Sequence, residues 1–160
     1  MILGCATEAG PVFSDNVPPA ASAVVPVRPS LDLVNAPSPV GALALDLVYE
    51  RDPRQAGPRM MELRLQIQGD LQYVRSERLA GALNADKDLV VQSEAPGRLR
   101  TLLYTTRNTT RLAPGPLVRF WFARTGPGEV RFVEQSPVFA PPETDVGVTF
   151  GAPVLIGGAL

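Results

Sequence analysis

Arginine, glutamine and tyrosine side chains alternate with apolar residues in two segments of the chain, and their spacing is the main chemical signal of the sequence. In Arg59–Gly69 and Arg98–Thr106, successive side chains of a β-strand would point to opposite faces, so the polar members would share one face. A guanidinium group offers forked hydrogen-bond donors and a tyrosine ring offers a flat stacking surface, which suit a protein or glycan partner. We therefore predict a binding face, with an ordinary solvated sheet face as the alternative. Its candidate residues are Arg64, Gln66, Arg98, Arg100 and Tyr104.

Arg119 is a sixth candidate, because it interrupts the apolar run Leu117–Ala123 beside the only tryptophan of the chain. We expect Trp121 in the core, since its two phenylalanine neighbours leave few polar positions for a sugar-stacking platform. An arginine in a doubly covered central strand needs an acidic partner, such as Asp46 or Glu62, or else it lies on a functional face.

Composition excludes several classes of catalytic and metal chemistry. The sequence has no histidine and one cysteine, which removes histidine acid–base catalysis, Ser-His-Asp triads and zinc sites built from histidine or cysteine. The net charge is −1, and the scattered arginines do not form the basic patch that nucleic acid requires. We predict a chain that is not an enzyme, with no catalytic residue, no metal ligand, no cofactor and no nucleic-acid partner.

Acidic residues offer two further possibilities. Asp46 with Glu62, or Glu134 with Glu143, could form a carboxylate pair for glycoside hydrolysis. Chance pairs are numerous among 16 acidic residues, so a solvated surface is the expected role. The segment Asn84–Asp88 alternates oxygen-bearing side chains as a calcium loop does, but it lacks the central glycine and the closing glutamate. We predict a plain turn there, with calcium binding as the alternative.

Residues 1–27 lack the strand pattern of the rest of the chain. Ile2–Cys5 resembles the end of a bacterial lipobox, in which a small residue precedes a cysteine that receives lipid. Ala6–Val27 is a small-residue, Pro-rich stretch typical of a tether. Four residues precede Cys5, so either the start is truncated or the match is fortuitous and Cys5 is a free cysteine. We predict lipidation at Cys5, a tether over residues 1–27 and one folded domain over residues 28–160.

Short apolar runs separated by proline and glycine predict an all-β protein. Alternation in Val40–Glu50 and Arg59–Gly69 predicts strands with one buried and one solvated face. Leu99–Thr106 and Leu117–Ala123, joined by a polar connection, are expected to be neighbouring strands.

Other segments predict where the strands end. Gly69–Asp70 and Gly126–Gly128 carry turn residues, so we expect turns at both places. Ser76 is expected to cap a short helix that reaches Leu83, the one segment without a strand pattern.

Five stretches in order along the chain carry a resemblance to a known family: Gly41–Tyr49 with the following Asp52-Pro53, Leu71–Val74 with Gly81, Pro96–Arg100, Leu112–Phe122, and Asp145–Thr149. From Leu31 to about Ile156 the chain resembles a cohesin-type domain, which is related to carbohydrate-binding modules of families 2 and 3. The resemblance implies a two-sheet antiparallel β-sandwich with jelly-roll topology, for which we predict about nine strands and one short helix at most. The loop Asp52–Pro58 is longer and more polar than the family pattern.

The resemblance implies a non-catalytic, extracytoplasmic module that binds another protein, dockerin-like or another surface protein, through one sheet face. Binding of a polysaccharide is the first alternative and a structural role in an envelope or extracellular assembly is the second. Exposed coplanar Trp and Tyr rings would favour carbohydrate, whereas a flat face of Arg, Leu and Met would favour protein. We expect an exported chain at the bacterial envelope or surface, with membrane contact only through a lipid anchor at Cys5.

Overall fold

The computed structural model describes residues 28–133, 139–140, 144–145 and 147–157, and these are almost entirely β-structure. Alternating apolar residues form the strands wherever one side chain in two can be buried. The elements are β1 Ser30–Ala36, β2 Ala42–Glu50, β3 Met61–Arg78, α1 Ala80–Asn84, β4 Asp88–Ala95, β5 Arg98–Tyr104, β6 Gly115–Phe132, β7 Phe139–Ala140, β8 Thr144–Asp145, β9 Thr149–Phe150 and β10 Val154–Ile156.

The two longest strands, β3 and β6, connect the two layers of the fold. Hydrogen bonding follows the order β4-β5-β3-β6-β2-β1-β9, with β10 also paired to β6 and β7 paired with β8. The first part of β3, Met61–Gln66, pairs with β5, whereas Leu65–Arg78 pairs with β6. The first half of β6 pairs with β2. Each long strand therefore passes from one layer into the other, and the curled sheet closes into the predicted all-β sandwich, which is confirmed. Its pairs are antiparallel except for β1 with β9.

The core lies between the layers and contains the apolar faces that alternation predicted. Leu45, Leu47 and Leu65 are fully buried, and Phe120 and Phe122 fill the centre from β6. The outward positions of the same strands carry the polar residues. Strand faces therefore follow the prediction from period-two spacing.

The predicted turns at Gly69–Asp70 and Gly126–Gly128 are wrong, because both segments lie inside long strands. Gly69 pairs with Gly128 near the middle of the antiparallel pairing of β3 with β6, and a bulge follows between Gly69 and Leu71. Gly69 has a φ of +80°, and a Cβ placed on it would lie 2.4 Å from the carbonyl oxygen of Pro127. The glycines permit a close approach of two backbones, so they mark the passage between layers and not a chain reversal.

The predicted helix is also shorter than expected. Ser76 belongs to β3, and its hydroxyl lies 2.9 Å from that of Tyr73 instead of capping a helix. α1 begins after Leu79, which makes no side-chain capping bond. Pairing of β3 with β6 extends to Arg78, and the resulting backbone hydrogen bonds take priority over helix formation. No helix in the described ranges has the length and apolar character needed to cross a membrane.

One expected neighbour relation is wrong. β5 pairs with β3 and β4, whereas the segment Leu117–Ala123 of β6 pairs with β2 and the second half of β3. The connection between β5 and β6 therefore joins strands of different layers. Sequence adjacency suggested a hairpin, but the long strand β3 separates the two.

Candidate binding face

The β5 face is the outward surface of β4, β5 and the first half of β3, and it brings together five of the six candidate residues. Pairing places Arg100 opposite Arg64 and Arg98 opposite Gln66. The intervening residues of β5 point into the core, where Leu99 and Leu103 are buried. Arg64, Gln66, Arg98, Arg100 and Tyr104 therefore share one surface, as alternation predicted.

Glu62 is the buried acid that organises the centre of this face. It is 6% exposed, and Arg100 donates from Nε and Nη2 to its two carboxylate oxygens at 3.0 and 2.9 Å. Arg64 Nη2 lies 2.9 Å from the same carboxylate, and Arg64 Nε donates to Glu94 at 3.0 Å. The hydrogen bond from Arg100, together with both nearby guanidinium groups, lowers the pKa of Glu62 although burial opposes this. Two arginines and two glutamates cancel in charge, so the centre is a neutral, fixed platform.

An apolar hollow lies at the β4 side of this platform. Val90, Leu102 and Tyr104 line it together with Gln92 and Arg100, and its volume is about 330 Å³. Val90 and Leu102 are directly paired across β4 and β5, and both are half-buried. A hollow of this size and lining has room for an aliphatic side chain.

Arg98 and Gln66 occupy the opposite end of the β5 face. Gln66 Nε2 donates to the carbonyl oxygens of Gly97, at 3.0 Å, and of Ile67, at 3.3 Å. Arg98 is exposed and forms no ion pair with any described residue. Gln66 is thus a fixed spacer, while the guanidinium of Arg98 is available to a ligand.

Arg119 lies on the other side of the sandwich. We call this surface the β2 face and define it by the outward residues of β1, β2, the first half of β6 and the second half of β3. Arg119 donates from Nε and Nη2 to the two carboxylate oxygens of Asp46 at 2.7 and 2.8 Å. The partner anticipated for an arginine in this strand is therefore Asp46, and Arg119 does not share a surface with the other five candidates. The pair raises the pKa of Arg119.

Trp121 is on the β2 face and not in the core, so that prediction is wrong. Its indole Nε1 donates to Glu77 at 3.2 Å, and the guanidinium carbon of Arg75 lies 4.9 Å from the ring centroid. Phe120 and Phe122 both take inward positions because residues two apart in a β-strand share one face. Trp121 between them must then point outward, and Arg75 covers one face of its ring.

The carboxylate pair considered for Asp46 and Glu62 does not form, since the two acids lie on opposite faces and each is held by arginine. The solvated surface expected instead is wrong for Glu62, which is buried beneath Arg100. Asp86 and Asp88 both pair with Arg107, at 3.1 and 3.0 Å, which lowers the pKa of Asp86. Within the described ranges no cluster of three or more acidic or cysteine side chains is placed to hold a metal ion. Glu134, Glu143 and Cys5 lie outside the described residues.

Sequence reasoning missed the roles of several residues. It treated Arg64 and Arg100 as free donors, whereas Glu62 holds both, because cross-strand partners depend on register and not on spacing along one strand. It did not select Val90 and Leu102, whose apolar side chains gave no chemical signal. The outward position of Leu102 followed from the alternation in Arg98–Thr106, so that residue could have been found, whereas the place of Val90 depends on the pairing of β4 with β5.

Comparison with known proteins gives the fold. No protein-family model matches the chain, and no curated protein sequence matches it. Among solved structures, the sixth cohesin of scaffoldin B from Acetivibrio cellulolyticus, in complex with a Cel5 dockerin mutant, is similar at a TM-score of 0.67 and 11% identity; the match covers 83% of this chain and 100% of that chain.

Two further structures support the same fold. The seventh ScaB type I cohesin from Pseudobacteroides cellulosolvens matches with a TM-score of 0.60 and 13% identity, over 83% of this chain and 94% of that chain. A non-cellulosomal cohesin from the archaeon Archaeoglobus fulgidus matches with a TM-score of 0.55 and 14% identity, over 78% and 86%. The chain has a cohesin-type fold, as the sequence resemblance predicted.

Proposed function

We propose that this protein is a non-catalytic binding module that holds another protein against its β5 face. The carrying observation is the surface itself: a neutral, hydrogen-bonded centre at Glu62 and Arg100 beside an apolar hollow at Leu102 and Tyr104. Pre-formed hydrogen bonds keep these side chains in place before a partner arrives, which lowers the entropic cost of association. Cohesins with the same fold have been solved in complex with dockerins, which supports a dockerin-like protein as the class of partner.

A protein partner fits this surface better than a polysaccharide does. Sugar rings stack on exposed coplanar aromatic side chains, yet Tyr104 and Trp121 lie on opposite faces of the sandwich. One side of the Trp121 ring is already covered by Arg75. The β5 face offers arginines, Val90 and Leu102 instead, which is the composition expected for protein recognition.

The test is affinity capture with matched variants on the two faces. Immobilised wild-type chain is incubated with secreted and envelope proteins from the source organism, and the captured protein is quantified. Leu102→Glu introduces a charge into the hollow and should remove at least nine-tenths of the captured protein. Val34→Glu makes the same kind of change at an exposed aliphatic residue of the β2 face and should leave capture unchanged. Capture by Leu102→Glu at the wild-type level would exclude the β5 face.

We further propose that the module is exported and anchored through lipid on Cys5. The lipobox-like residues before Cys5 and the Pro-rich stretch behind it support this arrangement. Mass spectrometry of the full-length protein from the membrane fraction should show a diacylglyceryl adduct on Cys5, and Cys5→Ser should shift the protein to the soluble fraction. An unmodified Cys5 in soluble protein would refute the anchor and leave the binding function untouched.

A further inference from the structure

We propose that the β5 face selects a partner segment carrying one aliphatic anchor and one carboxylate, with the carboxylate seated in a cationic groove at the Arg98 end. This inference rests on the proposed binding function and specifies the chemistry of its partner.

The groove lies where the β5 face meets the end of β9. Register places Arg98, Gln66 and Arg131 in one row across β5, β3 and β6. These three residues line a groove of about 490 Å³ whose floor includes Phe132 and Phe150. The two phenylalanine rings pack against each other with centroids 5.1 Å apart, so the floor is apolar and fixed.

Among the described residues, the positive charge of this groove is only partly balanced. Arg98 forms no ion pair with a described residue, and Arg131 has only Glu129, at 3.7 Å with half of the Arg131 side chain exposed. At the neutral centre, by contrast, Glu62 and Glu94 satisfy Arg64 and Arg100. Excess positive charge on the β5 face is therefore concentrated in the row of Arg98 and Arg131. Two guanidinium groups above an apolar floor complement a carboxylate on an otherwise apolar segment.

The distance between hollow and groove sets the spacing on the partner. Leu102 and Arg98 are four positions apart on β5, which is about 13 Å at 3.3 Å per residue. A helix lying along the strand covers this distance in two to three turns, since one turn rises about 5.4 Å. A helical partner would thus carry its acid about seven to eleven residues from its aliphatic anchor.

The experiment selects peptides from a phage-displayed library of helical peptides about 18 residues long, using the immobilised folded chain as bait. Selected peptides should contain an aliphatic residue and a Glu or Asp at this spacing. A selected peptide should bind Arg98→Glu at least tenfold more weakly than wild type. Its own Glu→Lys variant should regain binding to Arg98→Glu while binding wild type poorly. Arg75→Glu, which makes the same charge change on the β2 face, should bind the original peptide as wild type does.

Two kinds of failure are distinguishable. The selected peptides could bind Leu102→Glu more weakly but contain no preferred acidic residue and bind Arg98→Glu as they bind wild type. This result would overturn the role of the groove and leave the proposed function standing. Peptides that bind Leu102→Glu as tightly as wild type would refute the proposed function itself. The inference would also be overturned if no peptide is selected and the chain instead binds an acidic polysaccharide such as polygalacturonate. Loss of that binding in Arg98→Glu would assign the groove to a glycan.

Discussion

Glu62 is the residue on which the geometry of the β5 face depends. It is buried and accepts hydrogen bonds from Arg100, and its carboxylate also forms an ion pair with Arg64 of the same strand. Removing the negative charge would leave two guanidinium groups close together without their shared anion. In the proposed function Arg64 and Arg100 contact the partner, and the buried Glu62 holds both guanidinium groups in position.

Glu62→Gln should lower the free energy of unfolding by about 1.5–3 kcal/mol at neutral pH, the usual contribution of hydrogen bonds to a charged group. Hydrogen bonding from Arg100 lowers the pKa of Glu62 in the folded state, so its stabilisation is complete above the unfolded pKa of about 4.3. The stabilisation is lost as pH falls from there through the lowered folded pKa. Urea unfolding from pH 7 to pH 3 should therefore show the difference between wild type and variant shrinking below about pH 4.

Glu94→Gln is the matched control, because Glu94 pairs with Arg64 at a more exposed position. Its loss should cost less than about 1 kcal/mol. Equal effects of the two substitutions, or a difference for Glu62→Gln that persists unchanged at pH 3, would contradict the central role of Glu62.

At the scale of elements, the passage of β3 and β6 between layers depends on glycine. Gly69 has a positive φ, and its missing Cβ leaves room for the backbone of Pro127 and Gly128. The turn residues of both segments were visible in the sequence. Whether they reverse the chain or allow the backbones of two neighbouring strands to approach closely depends on a partner more than 50 residues away, which local spacing cannot reveal.

Gly69→Ala should lower the free energy of unfolding by about 2–4 kcal/mol, from the strained φ together with the clash against β6. Gly41→Ala is the matched control, since Gly41 has nearly the same φ, +78°, but nothing within 4 Å of the added Cβ. Gly41→Ala should lower the free energy of unfolding by only about 1 kcal/mol, which is the cost of holding alanine at a positive φ. Thermal or urea unfolding of both variants measures the difference, and equal losses would show that the close approach at Gly69 contributes nothing.

At the scale of the whole molecule, the alternation of apolar residues was sufficient to predict strands with one buried face and the outward set on β5, whereas the two-sheet sandwich followed from the resemblance to cohesin-type domains. The buried positions in β2 and β3 followed directly from period-two spacing, and so did the shared surface of Arg98, Arg100 and Tyr104. The layer to which each outward residue belongs did not follow from this spacing, because β3 and β6 contribute to both layers. For that reason Arg119 was grouped with residues that lie on the opposite face of the sandwich.

The fold separates two surfaces with different chemistry. On the β2 face, Asp46, Glu77, Arg75 and Arg119 satisfy one another around Trp121. At the centre of the β5 face the charges are paired, whereas among the described residues Arg98 has no ion-pair partner and Arg131 has only Glu129, at 3.7 Å. This difference between the two surfaces is the basis for assigning binding to the β5 face.

The most direct test of that assignment is isothermal titration of the captured partner, or of a selected peptide, against three forms of the chain. The account predicts that Leu102→Glu binds at least tenfold more weakly than wild type, which is about 1.4 kcal/mol, while Val34→Glu binds as wild type does. All three must first show the same unfolding midpoint, so that affinity is compared between folded proteins. Undiminished affinity of Leu102→Glu, or a loss confined to Val34→Glu, would contradict the account.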